Sequence, residues 1–343
     1  MIIEVDGKNF SSAQIKAGNF ESNGLSPDSI HLLSFISNWL NQTEQFSFHS
    51  SGSSGKPKKI VLSREVIEYS ARQTLKYLEL ENGDSKKMLL CLSPTVIGGA
   101  MLVVRALICQ ADLAVIPANS NFDQLNGKFD LVSLAPIQVK KIASTNPGIF
   151  NQFKNVLIGG AALDPSLEKS LQRYSSNFYH TYGMTETASH VAIRKMLDDQ
   201  YYTLGDIQID TNEGQLRLKG TVTSNEWLET NDLVELTSAQ SFRWLGRADT
   251  IINSGGIKVD PEKLESLLAN QIREPFAISS LPDSELGEKI TLVSESSETV
   301  LSLEEIPRYH RPKTFIWNHR IPRTDSGKIA RNELKELISN VKS

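Results

Sequence analysis

The 343-residue sequence lacks a cysteine framework, since it contains only two cysteines, Cys91 and Cys109. Two cysteines can form at most one disulfide, which is too few to cross-link a chain of this length. This excludes the class of disulfide-rich secreted proteins and favours a reducing compartment, the cytoplasm. The sequence also lacks an excess of positive charge: 36 lysines and arginines face 40 aspartates and glutamates, for a net charge of −4. Because a surface that neutralises nucleic-acid phosphates needs clustered cations, we expect no nucleic-acid partner.

Long hydrophobic runs are missing as well. The most apolar stretch, residues 88–109, is interrupted by Pro94, Gly98, Gly99 and Arg105. This pattern predicts a buried strand, loop and helix rather than a membrane span. The first residues, MIIEVD, lack the basic region and apolar run of a signal peptide. We therefore expect no membrane partner.

The composition is that of a globular protein, with 39% hydrophobic and 22% charged residues, and the length suits two domains. Up to about residue 200, short apolar runs alternate with helical patterns, which indicates parallel strands joined by right-handed crossovers and hence an α/β domain. Strands are predicted at 60–62, 88–92, 113–116, 131–134 and 156–158. Helices are predicted over 63–80, with Ser63 as N-cap, and over 98–110, 136–144 and 164–173.

The pattern changes after about residue 201. Short alternating runs at 207–209, 215–218, 233–236 and 242–244 predict a small antiparallel β subdomain. From residue 247 the sequence predicts a small α+β unit with strands near 250–252, 276–279 and 290–294 and helices over 261–269 and 330–338. We place the boundary between residues 246 and 249, which gives domains 1–246 and 247–343.

The most unusual stretch is HSSGSSGKPK, from His49 to Lys58. Glycines allow close backbone approach, and serine hydroxyls and lysine ammonium groups can surround the oxygens of a polyphosphate. The stretch is not a Walker A loop, because Gly52 and Gly55 are too close together and a proline follows Lys56. A flexible Gly/Ser linker is the alternative interpretation.

Two more segments follow predicted strands. Gly159, Gly160 and Ala161 leave room for a flat ligand ring at the carboxyl end of a parallel strand, or simply form a tight turn. In the segment YGMTET from Tyr182, a hydroxyl beside a carboxylate suits a hard cation and a phosphate, although a solvated helix start would explain it too.

Three further polar residues stand near turns. An aspartate such as Asp232 can accept both hydroxyls of a ribose, and an arginine such as Arg247 can neutralise a phosphate. The turn-rich segment PRTDSGK presents Lys328. Taken singly, each of these residues is as well explained as a turn or surface residue.

The order and spacing of these segments resemble the adenylate-forming superfamily of acyl-CoA synthetases, peptide-synthetase adenylation domains and luciferases. The resemblance extends from about Phe46 to the C-terminus. It rests on residues 50–58, 159–161, 182–186, 227–232, 246–249 and 326–328. It implies an α/β adenylate-forming large domain, made of parallel α/β sheets plus a small antiparallel β subdomain, with a mobile α+β C-terminal domain.

The resemblance also implies roles for single residues. The catalytic residues would be Lys328, bridging the substrate carboxylate and the α-phosphate of ATP, Thr185 at the α-phosphate, and Glu186 as the Mg²⁺ ligand. Asp249 would be the hinge. The remaining sets are the phosphate loop (Ser51, Gly52, Ser53, Ser54, Gly55 and Lys58), the adenine and ribose residues (Gly159, Gly160, Ala161, Tyr182, Asp232 and Arg247), and the CoA channel (Ser254, Gly255 and Gly256).

The reaction implied is the activation of a carboxylic acid as an acyl-adenylate, followed by transfer to CoA with release of AMP and pyrophosphate. Mg²⁺ and Lys328 would offset the negative charge that grows as two anions meet. Rotation about Asp249 would then remove Lys328 and bring the Ser254 turn to the CoA thiol. ATP, Mg²⁺ and CoA are therefore the expected cofactor and co-substrates.

The segment TYGMTETASH, residues 181–190, looks most similar to o-succinylbenzoate–CoA ligases of menaquinone synthesis. Their substrate carries a second carboxylate, so its pocket should hold a cationic or polar group. Arg105, inside an apolar helix, is the first candidate, although a helix-end side chain that reaches solvent would explain it equally well. Ser133, Thr181 and His190 are further candidates for the acyl pocket.

Three departures from the family pattern stand out. The phosphate loop begins near residue 50, so about a hundred residues, one domain's worth, are missing from the usual N-terminal region. Val96 occupies an acyl-pocket position that is often aromatic or histidine, and Asn231 replaces a glycine but tolerates left-handed backbone. The shortened region leaves a homo-oligomer open, because a second copy could cover exposed apolar surface.

Other functions stay open at this point. Another aryl- or acyl-CoA ligase would use the same residues. The segment FDLVS, residues 129–133, superficially resembles the amine-binding motif of amino-acid adenylation enzymes but lies too far downstream of the phosphate loop. A catalytically silent AMP- or ATP-binding protein is the third alternative.

Overall fold

In the described part of residues 1–77 the chain forms two hairpins and three helices, of which the sequence predicts only the last strand and the last helix. These elements are β1 (Ile2–Val5), β2 (Lys8–Ser11), α1 (Ser12–Lys16), α2 (Pro27–Leu40), β3 (Gln45–Ser50), β4 (Lys58–Ser63) and α3 (Arg64–Tyr77). The structure is a computed structural model that describes residues 1–20, 23–50, 58–81, 85–118, 122, 125–161, 163, 165–269, 271–272, 274–323 and 329–340.

A parallel sheet lies at the centre, as the alternation of strands and helices predicts. Its elements are β5 (Lys87–Leu90), α4 (Ile97–Ile108), β6 (Asp112–Val115), β7 (Phe129–Leu134), α5 (Pro136–Thr145), β8 (Phe153–Ile158), α6 (Pro165–Leu171) and β9 (Asn177–Met184). The strands pair in parallel in the order β9-β8-β7-β5-β6. This confirms the predicted α/β fold.

Helices cover both faces of this sheet because successive strand residues point to opposite sides. Leu131 and Leu157 pack into a core with α2, α3 and α4, whereas Val132 and Ile158 pack into a second core with α5 and α6. Helix α3 begins where its cap was predicted, since the Ser63 hydroxyl accepts a hydrogen bond from the backbone N–H of Val66 at 3.3 Å.

The N-terminal segment completes one edge and one face of the sheet. Strand β1 pairs in parallel with β6, with Ile3 opposite Leu113, and β2 pairs antiparallel outside it. Leu33 and Ile36 of α2 are fully buried in the core that α3 and α4 share. Apolar surface at this end of the sheet is therefore covered by the chain itself.

Six antiparallel strands extend the sheet from β9: β10 (Ser189–Lys195), β11 (Tyr201–Thr203), β12 (Gln208–Asn212), β13 (Gln215–Lys219), β14 (Leu228–Ser238) and β15 (Ser241–Arg247). Within the described residues the sheet has 13 strands in the order β12-β13-β14-β15-β11-β10-β9-β8-β7-β5-β6-β1-β2. The antiparallel strands thus continue the parallel sheet and carry their own hydrophobic cluster around Phe242.

The C-terminal unit has a separate sheet and a separate core. Its elements are β16 (Ile252–Ser254), β17 (Ile257–Val259), α7 (Pro261–Leu268), β18 (Phe276–Asp283), β19 (Gly287–Ser294), β20 (Thr314–Ile316) and α8 (Arg331–Asn340). The strand order is β17-β16-β19-β18, with β20 parallel to β19. Its two hydrophobic clusters draw only on residues 252–338.

No helix in the described part of the chain combines the length and the apolar character that crossing a membrane requires.

Candidate active site

The Ser/Gly stretch connects β3 and β4, which pair antiparallel up to Ser50 and Lys58. Ser51, Gly52, Ser53, Ser54 and Gly55 lie outside the described residues. Lys58 is exposed at the start of β4. The single turn Thr185–Thr187 lies next to both strands of this hairpin, so the structure brings the base of the predicted phosphate loop and the Thr-Glu pair together.

The turn Thr185–Thr187 is held in shape by the hydrogen bonds of its third residue, Thr187. The buried Thr187 hydroxyl accepts a hydrogen bond from the Met184 N–H at 3.1 Å and lies 2.7 Å from the Ser189 carbonyl oxygen, to which it donates. A Cβ at Gly183 would lie 2.2 Å from the same carbonyl oxygen, so only glycine fits there. The chain reverses tightly, which leaves the Thr185 and Glu186 side chains half-buried beside the hairpin.

The donor set here suits a magnesium ion that arrives with a nucleotide. Glu186 offers one half-buried carboxylate. The part of the chain that the structure describes contains no group of three or more His, Cys, Asp or Glu able to hold a metal. Mg²⁺ commonly uses one or two carboxylates together with substrate phosphates and waters, so these residues fit a Mg–nucleotide complex rather than a resident metal.

The predicted adenine turn follows β8. Gly160 has a φ of +94°, in the region that favours glycine, and a Cβ at Gly159 would lie 2.5 Å from the Thr181 hydroxyl. The Ala161 carbonyl lies 3.1 Å from Nε2 of His180. A side chain at Gly160 would therefore strain the backbone, one at Gly159 would displace the Thr181 hydroxyl, and Ala161 after them is exposed.

Asp232 is held at both carboxylate oxygens. Tyr182 donates its hydroxyl to Oδ2 at 2.6 Å, and the Trp244 indole donates to Oδ1 at 3.1 Å. Burial, followed by the charge of Asp232, raises the pKa of Tyr182, so the phenol stays protonated and remains a donor. The carboxylate of Asp232 is only 8% exposed and has one fixed orientation.

Asn231 causes no backbone strain. Asn231 lies within the extended strand β14 and does not have a positive φ. The ability of asparagine to adopt left-handed backbone angles is therefore not needed here. Its carbonyl accepts a hydrogen bond from the Ala248 N–H at 2.7 Å. The replacement of glycine at this position therefore leaves the neighbouring Asp232 undisturbed.

Arg247 and Asp249 are joined by a forked ion pair. Nε and Nη2 of Arg247 donate to the two carboxylate oxygens of Asp249 at 2.9 and 2.7 Å. These hydrogen bonds raise the pKa of Arg247. Arg247 also lies opposite Asp232 in the pairing of β14 and β15. The predicted hinge and the predicted nucleotide contact are thus linked directly.

Asp260 packs against Gly246, close to the predicted hinge. Its carboxyl carbon lies 3.2 Å from where a Cβ at Gly246 would stand, and its Oδ1 caps α7 by accepting from the Glu262 N–H at 2.9 Å. Burial, followed by the charge of Glu262, raises the pKa of Asp260 to about 6. Ionisation of this carboxyl is therefore less favourable in the folded protein than in the unfolded chain.

Replacing Asp260 with asparagine keeps the cap and removes the ionisation. Because the folded-state pKa of Asp260 lies above the usual aspartate value of about 3.9, the wild type loses stability as the pH rises from about 4 to 6, and the variant does not. We expect the variant to gain about 2 kcal/mol over the wild type at pH 7 and to gain little at pH 4, measured by urea unfolding. An advantage that did not change with pH would contradict the assignment.

The predicted CoA-channel residues form a tight hairpin tip between β16 and β17. Ser254 pairs with Ile257, while Gly255 and Gly256 have φ of +61° and +80°. Two consecutive residues with positive φ make the two-residue turn that suits a hairpin. The Gly255 N–H donates to the Leu286 carbonyl at 2.8 Å, which fixes the tip on the C-terminal unit.

Two of the four acyl-pocket candidates lie together in the core between α3, α4 and β10. Arg105 is 1% exposed, so it does not reach solvent from the helix end. Burial, followed by the positive charge of Arg105, lowers the pKa of His190 well below its usual range. His190 Nε2 lies 2.9 Å from the Thr74 hydroxyl.

Ser133 and Thr181 lie on the same side of the sheet as Arg105, because they stand two residues after Leu131 and Tyr179, which pack with α3 and α4. The Thr181 hydroxyl donates to the Ile158 carbonyl at 3.1 Å, next to the adenine turn. Val96, the other departure, is 46% exposed at the N-cap of α4. Lys328 lies outside the described residues, beyond Arg323, which bridges to Ile329.

Trp244 belongs to the site by its hydrogen bond to Asp232 and is not predicted from the sequence as a site residue. Its position three residues before Arg247 is the only indication in the sequence, and an aromatic residue there is equally well explained as a core residue. Its function as a donor to Asp232 depends on the register of β14 against β15, which places Trp244 opposite Val234.

The chain is similar to known proteins over most of its length. The family model described as AMP-binding enzyme matches residues 42–213. A 2-succinylbenzoate–CoA ligase from Lactococcus lactis is 27% identical over 320 residues, which cover 84% of this chain and 70% of the ligase. The o-succinylbenzoate coenzyme A synthetase from Bacillus subtilis, solved with ATP and a magnesium ion, shares the fold with a TM-score of 0.72, 22% identity, and coverage of 84% and 69% of the two chains.

A solved acyl-CoA synthetase (AMP-forming)/AMP-acid ligase II-like protein from Dyadobacter fermentans is 30% identical with a TM-score of 0.63. The match covers 94% of this chain and 97% of that protein, so the two chains are of similar length. From the family match and this near full-length similarity, we conclude that the chain belongs to the AMP-binding enzyme family, among its AMP-forming acyl-CoA synthetases.

Proposed function

We propose that the protein is an o-succinylbenzoate–CoA ligase, which activates that acid with ATP and transfers the acyl group to CoA. The similarity to the ligase from Lactococcus lactis, at 27% identity, supports this choice of acid. The observation that carries the proposal is the buried guanidinium side chain of Arg105, because two of its nitrogens have no hydrogen-bond partner among the described residues, which an anion would supply.

Arg105 is buried in the core, close to His190. Among the described residues, Nε and Nη2 of Arg105 find no hydrogen-bond partner. Burial lowers its pKa to about 9, so the group keeps its charge at neutral pH. An unpaired buried cation is costly, and a protein keeps one where a ligand completes the pair. A carboxylate matches the forked donors of a guanidinium.

An acid with two carboxylates meets this requirement. One carboxylate would be held by Arg105, and the other would be activated. His190 is neutral and hydrogen-bonded to Thr74, so it adds polarity to the pocket without a competing charge. We propose that Ser133 and Thr181 line the same pocket, since they share the face of the sheet on which Arg105 lies.

The nucleotide would lie across the ends of β8, β9 and β14. We propose that the adenine stacks at the open turn, that the ribose hydroxyls bind the preoriented carboxylate of Asp232, and that Arg247 contacts the ribose and phosphate. The residues assigned to these roles are Gly159, Gly160, Ala161, Tyr182, Asp232 and Arg247. The β,γ-phosphates would be held by Ser51, Gly52, Ser53, Ser54, Gly55 and Lys58.

The chemistry runs in two steps. In the first, a carboxylate oxygen of the acid attacks the α-phosphorus of ATP, and the bond to the pyrophosphate oxygen breaks. A bound Mg²⁺, held by Glu186 with Thr185 at the α-phosphate, would offset phosphate charge. Lys328 would stabilise the charge that develops between the two anions. In the second step the CoA thiolate attacks the acyl carbon, AMP leaves, and the thiol proton passes to solvent.

We propose that residues 1–246 and 247–343 act as two domains that rotate about Asp249 between these steps. The separate hydrophobic core of residues 252–338 supports this division. Rotation would exchange Lys328 for the hairpin tip at Ser254, Gly255 and Gly256. The ion pair between Arg247 and Asp249 lies at the point where the rotation would occur.

The acid can be identified by exchange of labelled pyrophosphate into ATP. We expect exchange with o-succinylbenzoate and much less with 3-benzoylpropionate, which is the same acid without the ring carboxylate. An acyl-CoA product should form when CoA is added. Exchange that was equally fast with both acids would contradict the proposed substrate, and exchange that required an amino acid would favour an adenylation enzyme instead. Nucleotide binding without exchange for any acid would favour a silent AMP- or ATP-binding protein.

A further inference from the structure

A buried polar chain lies behind the turn formed by Gly159, Gly160 and Ala161. We call it the turn-support network, and it consists of side chains from four elements: Glu168 of α6, His180 of β9, Arg194 of β10 and Tyr201 of β11. The Glu168 carboxylate binds the Arg194 guanidinium at 2.6 and 3.3 Å. The guanidinium lies 5.5 Å from the centroid of the Tyr201 ring.

The network ends on a backbone carbonyl. The Tyr201 hydroxyl lies 2.6 Å from Nδ1 of His180, and Nε2 of His180 lies 3.1 Å from the Ala161 oxygen. A carbonyl only accepts, so Nε2 must carry the hydrogen. Burial, followed by the charge of Arg194, lowers the pKa of His180 to about 4, so the ring is neutral at pH 7. Nδ1 therefore accepts, and Tyr201 donates.

Both ring nitrogens of His180 are thus occupied within the protein. The turn that it holds contains Gly160 at positive φ and would otherwise be pliable. Tyr201 also stacks on Phe242 at 5.5 Å and meets the edge of Tyr182 at 6.0 Å. One network therefore supports both the turn and the tyrosine that orients Asp232.

We propose that His180 and Tyr201 are positioning residues for the adenine base: they fix the Ala161 carbonyl and hold the turn in the shape that receives the ring. This inference rests on the proposed assignment of that turn to adenine. Neither residue touches the reacting atoms, so they act on nucleotide binding rather than on the chemical step.

The test compares two tyrosines that are adjacent in β11. Tyr201→Phe keeps the ring contacts and removes the network hydroxyl. Tyr202→Phe makes the same chemical change on a side chain that is 43% exposed and whose hydroxyl accepts a hydrogen bond from the Gln200 side chain at 2.7 Å. We expect Tyr201→Phe to raise the KM for ATP and the Kd for AMP about tenfold, with kcat within about twofold. Tyr202→Phe should match the wild type.

A second pair of variants tests the same inference through His180. His180→Gln keeps an N–H donor toward Ala161, whereas His180→Leu does not, so nucleotide affinity should be partly retained in the first and lost in the second. Thermal unfolding of all four variants separates stability from binding. A Tyr201→Phe protein that melts earlier but binds ATP normally overturns the inference, and so does equal affinity in the two His180 variants. Failure of the wild type to bind ATP or AMP would instead contradict the proposed function.

Discussion

Replacing Arg105 with methionine is expected to lower kcat/KM for o-succinylbenzoate about 100-fold while making the unliganded protein more stable. Methionine fills a similar volume and adapts to irregular space. It removes the charge that would pair with the second carboxylate of the acid. Pyrophosphate exchange at limiting acid gives the first quantity, and thermal unfolding gives the second.

The stability gain follows from the burial of Arg105. Its side chain is 1% exposed, and two of its nitrogens lack partners within the described residues. Replacing buried ionic groups with well-packed apolar side chains often stabilises proteins by about 1–4 kcal/mol. If the Arg105→Met variant is less active but more stable than the wild type, Arg105 is kept for function and not for folding.

The matched control uses a second substrate. With 3-benzoylpropionate the wild type and Arg105→Met should differ by less than about threefold, because this acid has no second carboxylate for Arg105 to bind. Arg105→Lys, which keeps the charge but loses the forked donors, should fall between them on o-succinylbenzoate. If the methionine variant lost activity equally on both acids, Arg105 would have a structural role and the proposed substrate would lose its main support.

The central fold could be predicted because its signals are local. Alternation of residues such as Leu131 and Val132 between two faces, and the cap at Ser63, are readable in a few neighbouring residues. The N-terminal hairpin was not predicted. Strands β1 and β2 have four residues each, and β1 pairs with β6 more than a hundred positions away, so nothing near them in the sequence indicates the pairing.

The site residues likewise fall into two groups, those that can be singled out in the sequence and those that only the folded sheet brings together. Arg105 could be singled out because a charge inside an apolar helix is conspicuous in sequence. Trp244 and the network at His180 could not, because their contacts join strands that meet only in the folded sheet. The Trp244 indole reaches Asp232 across the register of β14 and β15, and Tyr201 reaches His180 across β10. Long-range register decides these contacts, and residue type alone does not.

Replacing Lys328 with alanine is expected to reduce adenylation at least about 1,000-fold while leaving acyl transfer to CoA largely intact. Lys328 lies outside the described residues, and this prediction rests on the resemblance of its segment to the family motif. The ammonium would act while two anions approach each other, a problem that exists only in the first step. In the second step a thiolate attacks an uncharged acyl carbon and AMP already serves as the leaving group.

Two assays separate the steps. Pyrophosphate exchange reports adenylation, and formation of acyl-CoA from synthetic acyl-adenylate reports transfer. Lys263→Ala, on the exposed side of α7 in the same C-terminal unit, removes a lysine without touching the proposed chemistry and should leave both rates unchanged. Equal loss of both steps in Lys328→Ala would mean that one arrangement of the C-terminal unit serves both reactions. In that case Asp249 would not act as a hinge, and its ion pair with Arg247 would be a fixed structural contact.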